Sequence, residues 1–289
     1  MKIKLTAGDR VFYTFSYFIL FFVVFITIYP FYFVAISSIS SHMAVAAGRT
    51  WWIPREITFD AYHRIFNDPR IWQGYFNTVW YVIVGTSVNL ILTSTMAYAL
   101  SRKHFAPRNI IMMVVVFTMF FSGGLIPYFL LIRDLGLLDT RWVIVFNGAV
   151  NVMNLIIMRT FFQELPQELF DSAKIDGCND ALIFIKIVLP LSGAVIAVIS
   201  LYYAVAHWNS FFPALIFLNS EDLMPLQILL RRILIMLDTQ GSTFVDMLDS
   251  VQHTIRYALI IVASLPIICL YPFLQRFFVK GVMIGAVKG

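Results

Sequence analysis

The sequence predicts an all-α, polytopic membrane protein with six transmembrane helices, and three observations carry that prediction. Hydrophobic residues make up 60% of the 289 residues and charged residues 13%, about half the ~25% of a soluble domain. Mean hydropathy is +0.81, so the chain has too little polar surface to face water all round. Six windows, residues 11–48, 71–101, 109–132, 142–158, 187–220 and 257–275, contain no Asp, Glu, Lys or Arg. A spanning helix needs about 20 mostly apolar residues. Five windows meet or approach that length, and the fourth does so by running past Arg159 to Phe162. The runs are solidly apolar, without the alternation of an outer-membrane barrel. The 28 Phe and 13 Tyr suit lipid-facing packing and interfacial belts.

The first window exceeds one helix. Its helix is expected at about residues 11–38, bent at Pro30, with the remainder leading into an outer segment, residues 37–70, that carries Trp51-Trp52-Ile53-Pro54. Ala44-Val45-Ala46 imitates a signal-peptidase site. The preceding apolar stretch is longer than the ~7–15 residues of a signal-peptide core, so an uncleaved anchor is expected. Between the second and third windows lies the compact basic turn SRKHFAPRN. Short basic loops stay in the cytoplasm, which places both termini inside. Twelve Lys and Arg then face inward and nine outward, and every lysine lies inside. The whole chain, residues 1–289, reads as a single transmembrane domain.

In the third window, Gly123-Gly124 followed by Pro127 interrupts the apolar run. It reads as a hinge or a broken helix lining a pathway, or as a kink tolerated against a neighbour. In the fourth, Asn147, Asn151 and Asn154 recur at i, i+4 and i+7, one stripe of a helix. Amides hydrogen-bond sugar hydroxyls, and they also join neighbouring helices in membranes; both readings stay open. In the fifth, Tyr202, Tyr203 and His207 offer stacking and hydrogen bonding near the outer mouth, or form an interfacial belt. Residues 209–254, with Phe211-Phe212-Pro213, an apolar run at 224–230 and an acidic stretch at 238–249, read as a re-entrant or surface-lying element followed by a loop.

Residues 166–190, PQELFDSAKIDGCNDALIFIKIVLP, are a polar island carrying Glu168, Asp171, Lys174, Asp176, Asp180 and Lys186. Pro166 suits the start of a helix and residues 167–175 are helix formers. Asp176-Gly177 ends that helix, with Gly in the left-handed conformation, and Asn179 or Asp180 caps the next. The prediction is a cytoplasmic helix–turn–helix of about residues 164–186 between the fourth and fifth spans, a lever whose acidic residues face a basic cleft.

This stretch resembles the Glu-Ala-Ala loop of ATP-binding-cassette importer permeases. Pro166, Leu169, Ala173, Asp176, Gly177, Phe184, Leu189 and Pro190 match that pattern, while Asp171 stands for Glu and Ser172 and Cys178 for Ala. Residues 126–137, the run Trp208-Asn209-Ser210-Phe211-Phe212, and the terminal GVMIGAVKG are similar to the second, maltose-type permease subunit of carbohydrate importers. The resemblance implies a subunit of the bacterial inner membrane that pairs with a second homologous permease and with two cytoplasmic ATPase subunits. A periplasmic or extracellular sugar-binding protein would deliver the cargo, an oligosaccharide, with an acidic glycan such as alginate the specific guess. Glu168, Asp171, Ser172, Ala173, Asp176, Gly177 and Cys178 would then form the ATPase-docking loop. Asn147, Asn151, Asn154, Tyr203 and His207 are the candidate pathway lining.

The chain has no Gly-x-x-x-x-Gly-Lys-Ser/Thr loop, no Gly-x-Ser-x-Gly elbow and no His-Glu-x-x-His pair. A non-catalytic subunit is therefore expected, with ATP and Mg held by the partner and no cofactor or metal of its own. His42, His63, His104 and His253 lack metal-ligand spacing, and Cys178 and Cys269 lie too far apart in sequence to suggest a site. The formal charge of +5 is spread singly among apolar spans, which argues against nucleic acid and leaves membrane lipid as the surrounding partner. A stand-alone secondary carrier is the alternative, but such carriers bury ionisable residues in their spans, and the charge-free windows oppose it.

Overall fold

A computed structural model describes residues 6–239 and 254–269. The described residues are helical or irregular, with no strand among them. The terminal GVMIGAVKG, most of the acidic stretch at 238–249 and the end of the sixth window lie outside the described residues. The chain divides into two compact units, one of Met1–Pro69 with Arg232–Leu265, the other of Arg70–Arg231 with Pro266–Gly289.

The first unit is dominated by α1, Ala7–Ser38. A capping box starts it: the Asp9 amide donates to Thr6 Oγ1 at 3.3 Å and the Thr6 amide to Asp9 Oδ2 at 2.9 Å. Reciprocal bonds of this kind satisfy amides that have no partner in the first turn. The helix runs through Pro30 uninterrupted. From Val11 to Phe31 nearly all of its apolar residues are exposed, on every side of the helix, as expected of a surface solvated by lipid rather than water. Tyr29 and Tyr32 donate to the carbonyls of Trp51 and Trp52, and the Trp52 ring lies 5.0 Å from that of Tyr29. The Trp51-Trp52 segment thus folds back on α1. Short helices α2, His42–Ala46, and α3, Asp60–Phe66, follow. The apolar helix Thr254–Cys269 meets α1 where Tyr257 stands edge-on to Phe33 at 5.7 Å.

The second unit begins on α4, Pro69–Ser101, which contains one π-helical turn at Tyr81–Gly85. Next come α5, Arg108–Phe120, and α6, Leu125–Asp134, bent by 118° from one another. Gly124 sits at φ +81° in that bend, so the Gly123-Gly124 interruption is a broken helix. The expected single helix over residues 142–162 is also broken, into α7, Arg141–Phe146, and α8, Val152–Gln163. Gly148 takes φ +70° between them, a conformation no helix residue holds.

The polar island forms α9, Gln167–Ile175, and the start of α10, Asp180–Leu191, after which the chain turns 84° into α11, Gly193–Trp208. The fifth window therefore marks lipid compatibility and not helix bounds: its helix starts in the polar loop, turns after Pro190 and ends at Trp208. Pro190 lacks the amide that would tie this stretch to the preceding turn. The short α12, Phe212–Phe217, and α13, Leu226–Thr239, complete the described elements of this region.

Among the described residues, one continuous helix runs through the first and second windows, as α1 and α4, and through the described part of the sixth, while the third, fourth and fifth are broken. Of the described helices, α1 and α4 are long and apolar enough to cross a bilayer, and up to four crossings result among the described residues if the pairs α5–α6 and α10–α11 each make one.

Among its described residues the unit has two buried clusters. Leu100, Leu155, Met158, Phe162, Phe170, Ile183 and Ile199 knit together α4, α8, α9, α10 and α11. Tyr81, Ile132, Val143, Phe217 and Ile228 join the π turn of α4 to α6, α7, α12 and α13. The linker between α6 and α7 is pinned through Asp139, whose carboxylate accepts the amides of Asn219 and Ser220 at 2.8 Å each and also the Ser220 hydroxyl.

Candidate functional site

Two regions of the second unit collect the candidate residues. The first is the helix–turn–helix of α9 and α10. Pro166 is the residue before α9, and the helix ends as its sequence dictates. The Gly177 amide donates to Lys174 O at 3.0 Å and the Cys178 amide to Ala173 O at 2.9 Å, with Gly177 at φ +78°. This is the Schellman arrangement that satisfies last-turn carbonyls. Asn179 then caps α10, its Oδ1 accepting the Leu182 amide at 2.8 Å.

The amphipathic α9 buries Phe170 and Ala173 and turns Glu168, Asp171, Ser172, Asp176 and Gly177 outward. Ala173 therefore belongs to the inner face of the loop, and Cys178 is half-buried against the same core. Ile175 was absent from the sequence-based set. It is 87% exposed, an apolar side chain standing free among carboxylates, and the signal for it was an isoleucine in an otherwise polar tip.

The loop is rooted by Arg102, at the end of α4. Its guanidinium carbon lies 3.9 Å from the centre of the Phe170 ring. Nη2 donates to Phe162 O at 2.7 Å and Nε to Ser101 Oγ at 2.9 Å. Burial pushes the guanidinium below its ordinary arginine pKa, while Tyr98 and Asp180 oppose that shift. Charge-assisted hydrogen bonds of about 1.5–3 kcal/mol each offset such desolvation. One cation thus fastens α4, α8 and α9 to each other.

The second region is a cavity of about 410 Å³. All five candidate pathway residues, Asn147, Asn151, Asn154, Tyr203 and His207, line it, but not as a helical stripe. Asn147 follows the last residue of α7 and Asn151 caps α8, its Oδ1 accepting the Asn154 amide at 3.1 Å. The three amides converge because the backbone between them leaves the helix.

Tyr203 Oη accepts the Asn151 amide at 2.9 Å and pairs with Thr93 Oγ1 at 2.6 Å. His207 Nε2 pairs with Asn89 Nδ2 at 3.0 Å. Tyr203 and His207 are buried, packed toward α4 rather than set in an interfacial belt, whereas Tyr202 is half exposed. Asn89 and Thr93, an i, i+4 polar pair within an apolar window, escaped the sequence reading. Asn89 Oδ1 is buried and makes no hydrogen bond to the described residues. Phe211 lines the cavity, and the Arg231 guanidinium stacks on its ring at 4.2 Å. The described residues include no cluster able to hold a metal ion.

The model of one protein family, described as the binding-protein-dependent transport system inner membrane component, matches residues 89–284. Protein LplC of Bacillus subtilis (strain 168) is 43% identical over 267 residues, covering 91% of this chain and 90% of that protein. The polygalacturonan/rhamnogalacturonan transport system permease protein YtcP of the same organism is also 43% identical over 267 residues, covering 91% of this chain and 93% of that one. Among solved structures, a chain of a bacterial ABC transporter involved in the import of the acidic polysaccharide alginate superposes with a TM-score of 0.88. It is 32% identical, with 96% of this chain and 100% of that chain covered.

Proposed function

The chain belongs to the family of inner membrane components of binding-protein-dependent transport systems, and from that premise we propose how its two regions divide the work of import. It is the permease subunit of an ATP-binding-cassette importer of sugars or oligosaccharides, resident in the inner membrane. The cargo is an acidic oligosaccharide. The chain is similar to a polygalacturonan/rhamnogalacturonan transport permease and to a chain of a transporter that imports the acidic polysaccharide alginate, and Arg231, stacked on the cavity-lining Phe211, supplies a cation for an acidic sugar.

The subunit is non-catalytic. The outer face of α9, with Glu168, Asp171, Ser172, Ile175, Asp176 and Gly177, docks on one of two cytoplasmic ATPase subunits. A second homologous permease completes the pore, and an external binding protein loads it. The chain crosses the membrane six times with both termini in the cytoplasm. Asn147, Asn151, Asn154, Tyr203 and His207 line the pathway, and Asn89 Oδ1 is a spare acceptor for a sugar hydroxyl. ATP binding favours one of two packings of the helices by differential affinity, and the motion reaches the cavity through α4.

The observation that carries this reading is the path of α4. The helix holds Asn89 at the cavity and ends at Ser101, next to the Arg102 that grips Phe170 of α9. The test is the ATPase activity of the complex purified through this subunit, with and without sugar-loaded binding protein, in wild type and in Asp176→Lys and Gly177→Pro. Stimulation in wild type that is lost in both variants is expected. If no ATPase copurifies, or the variants match wild type, the docking assignment fails.

A further inference from the structure

Beside the Arg102 clamp lies another cavity, of about 370 Å³, walled by the end of α4, the α4–α5 turn, α8 and α9. Arg102, Lys103, Arg108, Arg159 and Lys174 line it, against the single carboxylate of Asp180. That carboxylate stands 3.8 Å from His104 Nε2. None of the five cations forms an ion pair with a described acidic residue.

The arginines are nonetheless fixed in place. Arg159 Nε donates to Leu100 O at 3.0 Å and Arg108 Nη1 to Arg102 O at 3.1 Å. Bonds to neutral oxygens orient a guanidinium without neutralising it, so the cavity holds a preorganised excess of positive charge. An anion is what such a cavity recognises.

The surface next to it decides which anion. Arg108 opens α5, and from there Ile110, Met113, Val114 and Phe117 are 68%, 72%, 57% and 55% exposed. Their spacing puts them on one side of the helix. That apolar track begins next to Asn109, which lines the cavity, and runs up the side of α5 turned away from Ile111, Met112 and Val115, which pack on the core.

We propose that this cavity binds the phosphodiester headgroup of an anionic phospholipid from the cytoplasmic leaflet, with its acyl chains lying along the Ile110–Phe117 side of α5. Basic pockets between helix ends at that leaflet are suited to anionic headgroups, and the assignment rests on the cytoplasmic placement of this end given above. Because Lys174 belongs to α9, the lipid would neutralise the inner wall of the docking helix. Its presence would then tune how firmly α9 seats.

The experiment titrates the complex, extracted in detergent through this subunit, with dioctanoyl phosphatidylglycerol, dioctanoyl phosphatidylcholine or inorganic phosphate, and reads thermal unfolding. Phosphatidylglycerol alone is expected to stabilise wild type. In Lys103→Gln/Lys174→Gln, whose lysines make no hydrogen bond to described residues, its apparent affinity should fall on the order of tenfold. Single Lys103→Gln, outside α9, should show a smaller loss in the same direction. Equal stabilisation by inorganic phosphate would overturn the lipid assignment in favour of a free-anion pocket. Unchanged phosphatidylglycerol affinity in both variants would overturn the cavity itself. ATPase copurification is scored on the same preparations. Its absence counts against the importer mechanism and leaves the lipid titration readable.

Discussion

The Arg102 guanidinium stands 3.9 Å from the centre of the Phe170 ring, a contact between the end of α4 and the buried face of α9. A cation over an aromatic face contributes about 0.5–2 kcal/mol as it becomes desolvated, in addition to the burial of the ring. Phe170→Leu keeps most of the apolar volume and removes the ring. It should leave the complex assembled, destabilise it by about 1 kcal/mol, and weaken the stimulation of ATPase activity by loaded binding protein. Normal stimulation in Phe170→Leu would show that this contact transmits nothing.

Gly85, in the π turn of α4, is a close-approach position. A Cβ built there would stand 2.4 Å from His207 Nε2, inside any tolerable contact. Gly85→Ala should destabilise the unit by about 1–3 kcal/mol through overpacking and reduce uptake. His207→Ala opens the space, so the double variant should be less destabilised than the sum of the singles. Additive effects in a thermal-melt cycle would refute the contact.

Gly177 has open space around its Cα but φ +78°, so a side chain there meets backbone strain and not a clash. Gly177→Ala should cost about 1–2 kcal/mol, and Gly177→Asn less, since Asn tolerates the left-handed region. Circular dichroism melts that rank Ala and Asn the other way would contradict this view of the turn.

Asp139 is held below its ordinary pKa of 3.8, first by the Ser220 hydroxyl and then by the Ser220 and Asn219 amides. A depressed folded-state pKa gives stability that is present above the unfolded value and is lost as pH falls through the folded one. The gap in melting temperature between wild type and Asp139→Asn should therefore be constant at neutral pH and close below 3.8. A gap that does not change with pH would remove the carboxylate from the argument.

Legibility from sequence varied with the range of the interaction. The helix–turn–helix of α9 and α10 was readable almost to the residue, because Pro166, Asp176-Gly177 and Asn179 act through backbone geometry within a few positions. The break at Gly123-Gly124 was readable for the same reason. The break at Gly148 was not. One glycine in an apolar run is tolerated by many helices, and the i, i+4, i+7 spacing of Asn147, Asn151 and Asn154 imitated a helical face. Those residues do share a cavity, but through two helix ends and a tyrosine hydroxyl from α11. Asn89, and the pairing of Arg102 with Phe170, depend on contacts made across more than sixty positions of chain, where no local pattern can announce them.

From Asn89 to Ser101, α4 is unbroken α-helix, a rod of roughly 18 Å at 1.5 Å per residue. Its π turn lies wholly on the far side of Asn89. A continuous helix is stiff along its axis, so a tilt imposed at the Arg102 end would be passed on to the Asn89–His207 pair. The same stiffness works in reverse. A ligand that wedged the cavity open would load α9 through the same rod, so occupancy of the cavity and the seating of α9 would act as one mechanical variable.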